Sequence, residues 1–113
     1  MLPKDRRLTT RTEIARSLRG RRAGSAVLVV HAAPAARPGH ARLGLAVGKA
    51  VGGSVVRHRV SRRVRHVFAA QLPAWDAADL DVVVRALPPA AAASSVEIAD
   101  VLDAGRRRLA GRT

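Results

Sequence analysis

The segment KAVGGSVVRHRVSRRVRH, residues 49–66, restricts the possible fold more than any other stretch of the chain. On a wheel of about 100° per residue, Val56, Val60, Val64, Val67 and Phe68 fall within an arc of about 120°. His58, Arg59, Arg62, Arg63, Arg65 and His66 take the opposite side, and Arg57 stands on the apolar flank near the helix start. Such a helix has one dry side and must lay it on another element of the domain. Its wet side makes a second demand. No carboxylate appears between Lys49 and Trp75. Solvated helix faces ordinarily mix charge signs so that residues three or four apart attract. Here every neighbour repels, which points to a polyanionic partner. A membrane-surface helix fits less well, because its apolar side would carry bulkier residues than valine.

The remaining chain supplies the surface on which that helix lies. SAVLVVHAA (residues 25–33) reads as a strand, and ARLGLAV (41–47) alternates Leu43, Leu45 and Val47 onto one side. DLDVVVRAL (79–87) is apolar enough to be a strand covered on both faces. Two capping boxes, Thr10 with Glu13 and Ser94 with Glu97, open helices. In the first, which ends near Gly20, Ile14 and Leu18 share a face. In the last, acids come early and Arg106 to Arg108 come late, as the helix macrodipole favours. KAVGG and LPAWDAA read as breaks and PPAAAA as a turn. The order α, β, β, α, β, α, with room for one more short strand, describes an α+β sandwich in one domain over residues 1–113.

Composition sharpens the partner. Of 21 Lys and Arg, 19 are Arg, and the formal net charge is +13. The guanidinium fork matches phosphate oxygens, so the balance favours nucleic acid. With no Tyr, one Phe and one Trp, base stacking is a poor basis for recognition, and shape and phosphate contacts on folded RNA fit better. Cysteine is absent, which removes disulfides, thiolate metal sites and thiol nucleophiles. The N-terminus has no apolar signal core, and SAVLVVHAAPAA is too short and interrupted to span a bilayer. A cytoplasmic protein is expected.

Chemistry within the chain is sparse. His58 and His66 share the wet face, but eight residues of helix set them roughly 12 Å apart, too far to share a metal directly. Asp79 and Asp81 alternate onto one side of a strand and could attract Mg²⁺, though a solvated strand start is the simpler reading. Asp100 and Asp103 fit the outer face of the last helix. No autonomous catalytic site emerges.

Taken together, the basic helix and its approach resemble the protein subunit of bacterial ribonuclease P. GLAVGKAVGGSVVRHRVSRRVRH, residues 44–66, parallels that family's GxxVGKxVGNAVxRNRxKRxxRE-like run, and LPKDRRL (2–8), RGRR (19–22), DVVVRA (81–86) and the closing helix add to it. The resemblance implies an αβββαβα sandwich with a left-handed βαβ crossover. It also implies that a large RNA subunit with Mg²⁺, held mainly by RNA and substrate, removes the 5′ leader of precursor tRNA. On this resemblance Lys49, Arg57, His58, Arg59, Arg62, Arg63 and Arg65 contact RNA, while Ile14 and Leu18 line a cleft for the leader. The implied partners are the catalytic RNA and precursor tRNA, with no membrane and no obligatory protein partner. Among the departures from the family run, His58 and Gly53 stand where Asn is usual, and Ser61 where Lys is frequent. Ile14 and Leu18 replace cleft aromatics and stack poorly on bases. Two rival readings are a ribosomal RNA-binding domain and a stand-alone nuclease using Asp79 and Asp81.

Overall fold

Val82, Val83 and Val84 are all buried, as an apolar run with elements on both sides requires. The computed structural model, which describes residues 2–110, places them in β4 (Leu80–Ala86), an inner strand of a four-stranded sheet. β1 (Arg21–Gly24) pairs antiparallel with β2 (Leu28–Pro34), and β2 antiparallel with β4. β3 (Leu43–Ala46) lies parallel to β4, giving the order β1-β2-β4-β3. The parallel pair is joined through α2 (Ser54–Ala70) and α3 (Leu72–Ala78), while α1 (Arg11–Leu18) and α4 (Ser95–Ala110) come first and last.

Alternation along the strands divides the core in two. Leu28, Val30 and Ala32 of β2 join Val82, Val84 and Ala86 of β4 in one cluster with Val60, Val64, Phe68, Trp75, Ile98 and Leu102 from the helices. The opposite face, which includes Val29, His31, Asp81 and Val83, lies under α1. There Gly44 admits close packing: a β-carbon on it would meet Val83, Leu8 and Ile14 at 3.3, 3.4 and 3.6 Å. Gly20 has a stricter reason, since a β-carbon there would come within 2.1 Å of the Ala32 carbonyl oxygen. The α+β sandwich expected from sequence is the observed architecture.

Its details differ in two places, and the one further short strand that the sequence left room for is present. LPAWDAA is a helix, not a break. Pro73 sits in its first turn, where the missing N–H costs little, and Trp75 is buried against Phe68 with ring centroids 5.4 Å apart. The second strand begins at Leu28 because the Ser25 hydroxyl accepts from the N–H groups of Val27 and Leu28 at 3.1 and 3.0 Å and holds a turn. The additional short strand is β1. The first capping box is complete between Thr10 and Glu13. At Ser94 the hydroxyl accepts from the Glu97 N–H at 3.1 Å. Among the described residues no helix is long and apolar enough to cross a membrane.

Candidate nucleic-acid interface

α2 is capped by Gly53 and has no acid in its first turn, so the positive end of the helix dipole adds to its side-chain charge. Val60, Val64, Val67 and Phe68 are buried beneath it, which turns the other side outward. Exposed His58, Arg62 and His66 and half-buried Arg65 line a groove of about 360 Å³ that Arg7 completes. On the N-terminal side His58, Arg59 and Arg62 border a second hollow with Ser54 and Val55. Lys49 is exposed in the turn ahead of the helix.

The ridge is not uniform. Arg59 and Arg63 are half-buried and donate to the carbonyls of Ala91 and Ala93 at 3.3 and 2.9 Å. They tie α2 to the turn that precedes α4. Arg57 is half-buried too, and its Nε lacks a hydrogen-bond partner. Of the seven residues expected to contact RNA, Lys49, His58, Arg62 and Arg65 form the open part. Arg7 was not among them. Its place in LPKDRRL carried no sign of proximity to α2, although its guanidinium donates to the Leu2 carbonyl at 2.9 Å and is thereby oriented.

The α1 side forms a second surface. Ile14 is half-buried over Gly44, whereas Leu18 is 42% exposed. The sheet register sets Arg22 opposite His31 and Val29 opposite Arg85. His31 is 6% exposed, and among the described residues neither ring nitrogen has a hydrogen-bond partner. Burial lowers its pKa below the ordinary value of 6.5, and the charges of Arg85 and Arg22 lower it further. The folded protein therefore holds fewer protons than the unfolded chain between the two values. Stability is full above the unfolded value and declines as pH falls toward the folded one. Urea midpoints measured at about pH 7.5 and about pH 5.5 are expected to drop more in the native protein than in His31→Gln. Equal drops would contradict this account.

Asp79 and Asp81 do not form a paired carboxylate site. Asp79 ends α3 with φ 59°, and its Oδ1 accepts from the Gly39 N–H at 2.7 Å. Asp81 is fully buried, and its Oδ2 accepts from Arg16, Arg42 and the Ala36 N–H. Among the described residues no three His, Cys, Asp or Glu side chains converge to hold a metal. Asp103 lies between Arg106 and Arg107 and bonds to both.

The ribonuclease P family model matches residues 2–110. The ribonuclease P protein component of Streptomyces bikiniensis is 46% identical over 120 residues, covering 98% of this chain and 97% of its own. That of Corynebacterium diphtheriae is 47% identical over 109 residues, covering 89% and 91%. Among solved structures, the Staphylococcus aureus RNase P protein superposes with a TM-score of 0.76 at 24% identity, covering 89% of this chain and 92% of that one. The Thermotoga maritima RNase P protein gives 0.72 at 18% identity, covering 95% and 97%.

Proposed function

The chain belongs to the bacterial ribonuclease P protein family, and from that membership we propose how its two surfaces divide the work of the ribonucleoprotein. As a member it is the protein part of an endoribonuclease acting in 5′ maturation of tRNA, in association with the ribonuclease P RNA. The outward side of α2, with Lys49, His58, Arg62, Arg65 and Arg7, takes phosphates of that RNA. Arg57, Arg59 and Arg63 contribute from the flanks of the helix. The sheet face beside α1, with Ile14 and Leu18 along it, receives the leader of precursor tRNA. Since neither residue stacks well on a base, the leader is gripped there through its backbone and shape more than through its sequence.

Cleavage itself is assigned to the RNA. Mg²⁺ would supply an activated water and offset phosphate charge, but the Asp79 and Asp81 pair does not fit it, because Asp81 is already engaged by two arginines and Asp79 accepts from the Gly39 N–H. The ion is therefore assigned to RNA and substrate. A cytoplasmic site of action follows from the same reading.

The single observation that carries this proposal is a helix whose exposed side is of one sign from His58 to His66. Adding the protein to its own catalytic RNA at limiting Mg²⁺ is expected to raise the rate of precursor cleavage. The absence of stimulation at every salt concentration would end the proposal.

A further inference from the structure

We propose that Asp81 is a positioning residue for precursor binding, which through Arg16 and Arg42 fixes where α1 stands over the sheet. The inference rests on the reading of the α1 face as the path of the leader.

It starts from an anomaly of sequence. LDVVVRA is an inner strand, yet its second residue is a carboxylate with no exposure to solvent. Burying a charge is costly unless partners replace its water. Here they do. Arg16 Nη2 donates to Oδ2 at 2.8 Å and Arg42 Nη2 at 3.1 Å, and the Ala36 N–H adds a third bond at 3.2 Å. Ser17 lies within 3.5 Å of the Asp81 carbonyl. Arg42 Nη1 continues to Glu13 Oε2 at 2.6 Å, and Arg16 Nη1 to the Pro34 carbonyl at 2.8 Å.

Glu13, Arg16 and Ser17 are related by three and four residues, so they share one face of α1. All three end on Asp81 or on its arginine partner. α1 has eight residues, too few to hold a helix without tertiary support. Of its two large apolar side chains, Ile14 packs closely on Gly44 of the sheet, while Leu18 keeps 42% of its surface exposed. The polar cluster is thus the main lateral fastening of α1. A buried ion cluster is a weak source of stability compared with apolar packing, but it does define a geometry. At this position a fixed helix is what a leader-binding face needs.

The test uses reconstituted holoenzyme and two precursors, one with a long leader and one trimmed almost to the cleavage point. The native protein is expected to bind the long-leader substrate more tightly. Asp81→Asn keeps the side-chain shape and removes the charge. Arg16→Gln cuts the same link without leaving a buried charge unpaired, because Arg42 still faces Asp81. Both are expected to reduce the leader-dependent preference by about tenfold, as a small misplacement of a positioning element can. The rate at saturating substrate and the affinity for the catalytic RNA should be unchanged.

Arg16→Lys retains the cation but not the two-pronged link to Asp81 and Pro34, and should behave like Arg16→Gln. Recovery of native preference in Arg16→Lys would make Arg16 a direct phosphate contact and overturn the inference. So would native preference in Asp81→Asn and Arg16→Gln, or a parallel loss of catalytic-RNA affinity in both. Absence of a leader preference in the native holoenzyme would instead refute the assignment of the α1 face, and this inference with it.

Discussion

Replacing Arg62 and Arg65 together by alanine is expected to weaken binding of the catalytic RNA about a hundredfold at low salt, with the fold intact. Both side chains line the open groove on the outer side of α2, away from the turn that Arg59 and Arg63 hold. A charge-assisted hydrogen bond contributes about 1.5 kcal/mol or more, and about 1.4 kcal/mol is a factor of ten in affinity. Two lost contacts therefore give the stated loss. The salt dependence supplies an independent check. Each phosphate contact adds about 0.7 to 0.9 to the steepness of log affinity against log salt. The double variant should be shallower by about 1.5, and its thermal transition should match that of the native protein. Arg59→Ala and Arg63→Ala are less clean probes, because each also releases a carbonyl ahead of α4. Superimposable binding isotherms for native and Arg62→Ala/Arg65→Ala proteins would contradict the interface.

The largest stability effect is expected at Trp75. Its side chain is fully buried, stacks on Phe68 and donates its indole N–H to Gln71 Oε1 at 3.1 Å. Gln71 in turn donates to the Ala99 carbonyl of α4 at 3.0 Å. Trp75→Ala removes the stack, opens a cavity and leaves the Gln71 acceptor without its donor. Large-to-small changes of this kind cost about 3–5 kcal/mol, against a total of about 5–15 kcal/mol for an ordinary domain. The loss is felt more here because 23 of the residues are Ala and the large aromatic payload is Phe68 and Trp75 alone. Denaturant titration followed by circular dichroism should show the midpoint lowered by about a third or more. A shift below about 1 kcal/mol, the median for ordinary substitutions, would show that the stack does not anchor the helical layer.

Elements legible in the sequence were those whose pattern is internal to the segment. α2 carries its own period of valines and β4 its own apolar run, so each could be recognised without its neighbours. α3 could not, because seven residues with only Leu72 and Trp75 as large apolar side chains show no period, and its helix is secured by Phe68 and Gln71. RRAG has no alternation, and β1 is a strand because β2 offers it a register. The same distinction governs the sites. The cationic side of α2 was apparent, but the turning of Arg59 and Arg63 toward Ala91 and Ala93 depends on carbonyls about thirty residues away. In the sequence Asp81, alternating with Asp79, read as a solvated strand start that could attract Mg²⁺, whereas it is fully buried. The arginines that occupy it lie 65 and 39 positions distant, beyond any local motif.

The border strand β1 has a consequence for behaviour in concentrated solution. It is four residues long, and among the described residues the sheet has no further strand beyond it. Unpaired amides along such a rim are a template on which another molecule can polymerise. Here Arg21 and Arg22 are exposed on that rim, and two copies meeting there would bring like charges together before any ladder could close. The rim is thereby guarded against fibre growth, and the protection would weaken as polyphosphate or high salt masks those charges.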